Sequence, residues 1–103
     1  MNRIYEQIAA ERKRQHDKWG EQNWPMWGNL NSWECKRIAK LTKKANNKKI
    51  RNGRADWFDI LREEMLEAFA ETDPVKQREE MIQVASVAVA IVEYLDRQIE
   101  GVK

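Results

Sequence analysis

Six glutamates fall in the stretch 63–80: Glu63, Glu64, Glu67 and Glu71, then Glu79 and Glu80. Glu64 and Glu67 are three apart, so on a helix their carboxylates occupy neighbouring turns of one face. Like charges at that spacing repel, and a helix gains no stability from them. Glu80 and Gln83 repeat the spacing. Twelve residues separate Glu67 from Glu80, enough for one helix to end, the chain to turn at Asp73-Pro74, and a second helix to return antiparallel. The two pairs then face each other as three carboxylates and one amide oxygen. Such an all-oxygen set suits Mg²⁺ or Mn²⁺ rather than zinc. A magnesium ion held this way keeps several waters and commonly acts on a phosphate-bearing substrate. The competing reading is a set of solvated glutamates on two amphipathic helices. Against it, Glu64 lies at the edge of the apolar stripe Ile60, Leu61, Met65, Ala68, and Glu80 adjoins Met81. Polar groups turned partly into a helical core need a partner, and a cation provides one.

The elements that must carry these residues are helices. Glycine and proline number four and two in 103 residues, and they divide the chain into a few long pieces. Residues 2–19 carry Ile4, Ile8 and Trp19 on one stripe, with Gln15 among them. Residues 20–31 hold Pro25 and Gly28 and read as a loop. Residues 33–44 are helix-like, with Ile38 and Leu41 as a weak apolar face. Asn46, Asn47 and Gly53 mark an irregular connection. Residues 56–71 place Trp57, Ile60, Leu61, Met65, Ala68 and Phe69 at helical spacing. Asp73 is a good N-cap and Pro74 suits the first helical position, starting a final helix over residues 74–99. The expected fold is all-α, one domain over residues 1–103, with four helices and the last two forming an antiparallel hairpin. Two long helices with broad apolar faces in so small a chain favour a homodimer or a dimer of dimers.

Other features narrow the class. One cysteine, Cys35, and one histidine, His16, leave no room for an intrachain disulfide or a cysteine-rich zinc site. No run approaches the ~20 apolar residues of a membrane span, and no apolar stretch behind Met1 resembles a secretion signal. A soluble, cytoplasmic domain without a membrane partner is the expectation. The stretch 36–54 holds nine basic residues, Lys40 and Lys44 among them, and no acidic one. It reads as a positive lobe that holds a polyphosphate, as a nucleic-acid surface, or as a solvated face. The formal net charge of only +2 weighs against nucleic acid. Four of the five tryptophans, Trp19, Trp24, Trp27 and Trp33, lie within fifteen residues. Indoles stack on nucleobases or staple a loop to a small core, and Trp19 and Trp57 are the expected core members.

These motifs resemble a known family. Glu63-Glu64-Met65-Leu66-Glu67 followed by Glu80-Met81-Ile82-Gln83 is similar to the signature of the all-α MazG-like nucleoside triphosphate pyrophosphohydrolases, Glu-Glu-x-x-Glu and then Glu-x-x-Asp. The block Glu11 to Asn23, with Lys18-Trp19-Gly20-Glu21-Gln22-Asn23, and the segment Trp57-Phe58-Asp59-Ile60-Leu61 resemble a small subgroup met in phages and bacteria. The likeness runs from about Ile4 to Arg97 and is weakest between Trp24 and Arg54. It implies a four-helix MazG-like bundle that hydrolyses a nucleoside triphosphate to a monophosphate and pyrophosphate with Mg²⁺. By the same likeness Glu64, Glu67 and Glu80 are metal ligands with Gln83 as a fourth, and Glu63 joins Glu64 in catalysis by orienting a ligand or the water. Arg12, Gln15 and Lys18 are implied to lie near the substrate, and Trp24 stands where the subgroup has His. Gln83 replaces the family's aspartate and removes one negative charge. That departure keeps a second possibility open, a protein that sequesters a nucleotide without hydrolysing it.

Overall fold

Residues 2–28 and 30–101 are described in the computed structural model. They form four helices, α1 (Asn2–Trp19), α2 (Ser32–Arg51), α3 (Trp57–Ala70) and α4 (Pro74–Gly101), with no strand among the described residues. Local chemistry sets the boundaries. α1 stops where Gly20 takes φ +69° and donates its N–H to the His16 carbonyl at 2.7 Å. The Asn31 side chain caps α2 by accepting from the Glu34 N–H at 2.9 Å. Asp56 and Asp59 close a reciprocal capping box at the start of α3. Asp73 accepts from the Lys76 N–H at 3.3 Å, with Pro74 as the first residue of α4. No described helix is long and apolar enough to cross a membrane.

α2 differs from its expected extent. It runs straight through Asn46 and Asn47 and ends only at Asn52-Gly53, where Gly53 has φ +66°. The reason is tertiary. Cys35, Ala39, Thr42 and Asn46 are buried at alternating steps of four and three, a stripe that faces α3. Asn46 is 2% exposed, and its Nδ2 donates to the Asp59 carbonyl at 2.8 Å. A buried amide with that partner outweighs the weak helix propensity of asparagine. One step further along the stripe, Lys49 meets buried Asp59 at 3.0 Å. This contact holds the Asp59 carboxyl below its ordinary range, the Lys49 hydrogen bond being the leading cause.

α3 is the central element and packs against both α2 and α4. Ala68 is fully buried, and its carbonyl accepts from the buried Gln77 Nε2 at 3.1 Å, which ties α3 to the first turns of α4. Ala68→Leu inserts three carbons where none fit, and overpacking of this kind costs about 1–3 kcal/mol. A lower denaturant midpoint with an unchanged slope is the expected result. An unaltered midpoint would show that the α3–α4 contact is loose.

α1 meets α4 only loosely, where Ile4, Ile8, Val89 and Val92 border two shallow grooves. Trp19, expected in the core, is 59% exposed instead, because α1 is not enclosed by the other helices at its C-terminal end. Trp57 is half-buried and meets Tyr94 edge-on, with ring centroids 6.0 Å apart. Trp27 staples the 20–31 loop by donating its indole N–H to the Phe69 carbonyl at 2.9 Å. The buried apolar set is short: Ile4, Cys35, Ala39, Ala68 and Val89. Accordingly the chain is broad and thin, 41 × 40 × 22 Å, with a radius of gyration of 16.1 Å where a compact chain of this length has about 13 Å. Its accessible surface is 8447 Å². A folded monomer of 12.3 kDa exposes about 6100 Å².

Candidate metal centre

The centre is assembled from one turn of α3 and one of α4. Glu64 and Glu67 sit three apart on α3, and Glu80 lies in the second turn of α4. One carboxylate oxygen from each lies within 4.8 Å of the others, and all three side chains are half-buried. No hydrogen-bond donor satisfies this cluster fully. Glu64 Oε2 and Glu80 Oε2 are both buried without a partner. A buried acceptor without a donor costs free energy of order 1–3 kcal/mol, more when charged, so the arrangement is incomplete as protein alone. A hard divalent cation fits this donor set, since carboxylate oxygens converging from separate helix turns are what it requires.

The electrostatics agree. Burial raises the Glu64 carboxyl above its ordinary value, with Glu80 and Glu63 adding repulsion. Burial raises Glu67 likewise, with Glu64 and Glu63 next in weight. The one cation that opposes both shifts is Lys43 on α2. The sign of the pH effect follows from these directions. The folded chain holds protons on Glu64 and Glu67 at pH values where the unfolded chain has released them. Metal-free stability therefore falls as pH rises from the ordinary glutamate value through the raised ones. Added Mg²⁺ is expected to raise the melting temperature only above that window, the increment vanishing on the acid side. A Mg²⁺ increment independent of pH would contradict the assignment. Asp59 does not confuse the measurement, because its contribution is lost only as pH falls through a value below the ordinary aspartate range.

The structure sorts the other expected residues. Glu63 sits beside the cluster and accepts from Asn46 Nδ2 at 3.4 Å. Gln83, one turn beyond Glu80, is exposed. Arg12 and Gln15 are hydrogen-bonded to each other on α1 and border a hollow of about 290 Å³ that also touches Val92. Val92 lies roughly 18 Å further along α4 than Glu80. Lys18 stacks its ammonium 4.9 Å from the Trp19 ring. Trp24 is 77% exposed and borders a separate small hollow with Trp19 and Asn23. Lys40 lies with Trp33, Lys36 and Arg37 on the outer face of α2. Lys44 is exposed. Two residues that matter here escaped the sequence reading, Lys43 and Asn46. Both follow from the stripe Cys35–Ala39–Thr42–Asn46, which is visible in the sequence once α2 is continued past Lys44.

Of the cavities, an apolar hollow of about 350 Å³ lies along the Arg62, Met65, Phe69 side of α3 rather than the Glu64, Glu67 side. It contains the buried Cys35 thiol and none of the expected site residues. Comparison of the chain with family models, curated proteins and solved structures finds no match.

Proposed function

We propose that the chain is a Mg²⁺-dependent nucleoside triphosphate pyrophosphohydrolase, built as a MazG-like four-helix bundle with α3 and α4 as its antiparallel hairpin. The convergence of Glu64, Glu67 and Glu80, with two buried carboxylate oxygens lacking any donor, is the observation that carries the reading. The short link 71–73 between packed helices α3 and α4 supports the hairpin. Glu64, Glu67 and Glu80 would hold Mg²⁺, or Mn²⁺ in its place, with Gln83 an outer oxygen. When bound, the ion offsets phosphate charge and makes a water acidic enough to attack phosphorus. The residues of the chain do the positioning. Glu63, anchored by Asn46, accepts a hydrogen bond from the attacking water and orients it. Glu64 shares that task from within the ligand set. Lys43 supplies the positive charge that opposes the burial and repulsion raising Glu64 and Glu67.

A homodimer or dimer of dimers belongs to this proposal, in the cytoplasm and without a membrane partner. The surplus of accessible surface, roughly 2300 Å² over a compact monomer, is the size a large obligate interface buries on each subunit. Exposed Ile82, Val92, Leu95 and Ile99 on α4 and Tyr5 and Ile8 on α1 supply the apolar area. Assembly would also offer the carboxylates a second set of Arg12, Gln15 and Lys18.

Release of pyrophosphate from a panel of ribo- and deoxyribonucleoside triphosphates, with and without Mg²⁺, tests the reading. Metal-dependent pyrophosphate and a monophosphate product are expected. Binding of a nucleotide without any turnover, in folded protein with Mn²⁺ also tried, would transfer the site to the sequestering alternative, which the exposed amide at Gln83 favours. Gln83→Asp adds a carboxylate beside the other three and is expected to lower the Mg²⁺ concentration for half-maximal turnover several-fold. An unchanged Mg²⁺ requirement would place residue 83 outside the coordination sphere.

A further inference from the structure

The cations of α2 fall into two sets. Lys49 is the one α2 cation within ion-pair distance of a carboxylate among the described residues, and the Lys43 charge reaches Glu64 and Glu67. The others, including Lys36, Arg37, Lys40, Lys44 and Lys48, are exposed on the side turned away from the buried stripe. At the N-terminal end of this face stands Trp33, 67% exposed, and with Lys36, Arg37 and Lys40 it borders a hollow of about 290 Å³. These four residues follow each other at helical steps of three, one and three, so indole and cations share one surface. Charge is segregated along the chain as well. α2 holds eight of the nineteen Lys and Arg residues and one acid, Glu34, among seventeen, leaving the remainder net acidic. The small net charge therefore conceals a strongly positive helix face. A local field of this kind, and not the sum over the chain, governs attraction of a polyanion.

We propose that this outer face of α2 binds single-stranded nucleic acid, the phosphates running along the cations and one base stacked on Trp33. The extent of the face argues for a polymer: Lys36 to Lys48 spans about 18 Å of helix, more positive surface than one triphosphate contacts. A bilayer is disfavoured, because the buried stripe of α2 is already spent against α3, and the exposed Trp33 and Leu41 stand about two helical turns apart among cations rather than forming the broad apolar face that enters lipid. A duplex is disfavoured because it hides its base faces, whereas an exposed indole beside a cationic track suits an unpaired strand. The proposal is separate from the metal centre and goes beyond the hydrolase reading.

Fluorescence anisotropy of a labelled oligothymidylate of about 15 nucleotides, titrated with the whole protein at several salt concentrations, tests it. Saturable binding is expected, with log affinity falling against log salt at a slope of about −3, as four or five phosphate contacts give. Trp33→Ala should weaken binding about tenfold and leave the slope unchanged. The double variant Arg37→Glu, Lys44→Glu should weaken it by more than tenfold and flatten the slope. Both changes fall on exposed positions, and unaltered helical circular dichroism confirms that each variant is folded. Absence of binding by the folded wild type at low salt overturns the proposal. So does indifference to the charge reversals, tighter binding to the matching duplex, or equal binding of inorganic polyphosphate that Trp33→Ala leaves untouched. Glu64→Gln is expected to bind the oligonucleotide normally, so this inference and the hydrolase reading can fail independently.

Discussion

Glu64→Gln is expected to abolish Mg²⁺-dependent pyrophosphate release while raising the melting temperature of the metal-free protein. The two effects have one cause. Glu64 is held in a half-buried cluster where one of its oxygens lacks a donor, and burial together with Glu80 and Glu63 disfavours its charge. An amide of the same shape removes a repelling charge, and melting should rise by about 1–4 °C, a modest gain because the carboxylates keep part of their water. The same amide deprives the ion of an anionic ligand, and turnover should fall on the order of a hundredfold or more. Glu67→Gln is expected to behave alike. A residue that merely supported the fold would lose activity and stability together. Turnover close to wild type in both variants would sink the metal-site assignment, and a large drop in melting temperature would recast the glutamates as structural.

The second large effect concerns assembly. Ile82 and Leu95 are each about half exposed on α4 in the protomer, so Ile82→Glu with Leu95→Glu costs an isolated subunit little. Across an apolar interface the same carboxylates would be buried without partners, at several kcal/mol for each subunit. Sedimentation is expected to show the wild type as a dimer or larger and the double variant as a 12.3 kDa monomer. A monomer with so thin a core should also melt earlier. Sedimentation of the wild type as a monomer at micromolar concentration would contradict the proposed assembly and leave the broad apolar faces unexplained.

What could be read from sequence was local. Periodicity located α3 and α4, and side-chain chemistry marked Asp73 as a cap, because these depend on neighbours three or four residues away. The meeting of Glu64 and Glu67 with Glu80 was legible for a related reason. A short link between two amphipathic helices leaves few ways to pack them, and Asp73-Pro74 marks the link. Long-range packing was not legible. Asn46-Asn47 looked like a break, and only the Asp59 carbonyl across the α2–α3 contact shows why the helix continues. Within a run of lysines no local signal distinguishes Lys43, whose position is set by the buried stripe beside it. Trp19 was expected inside on hydrophobicity, yet its exposure depends on how far α1 is covered. Arg12, Gln15 and Lys18 rest on the resemblance, and Arg12 and Gln15 border a hollow with Val92.

Titration of Mn²⁺ into the wild type and into Glu64→Gln, Glu67→Gln and Glu80→Gln at neutral pH, with bound ion read by electron paramagnetic resonance, tests whether Glu64, Glu67 and Glu80 hold a cation together. The three carboxylates acting as one site predict saturable binding by the wild type, displaced by Mg²⁺ and strongly weakened by each single substitution. Equal binding by all four proteins, or none by the folded wild type at millimolar ion, would contradict it.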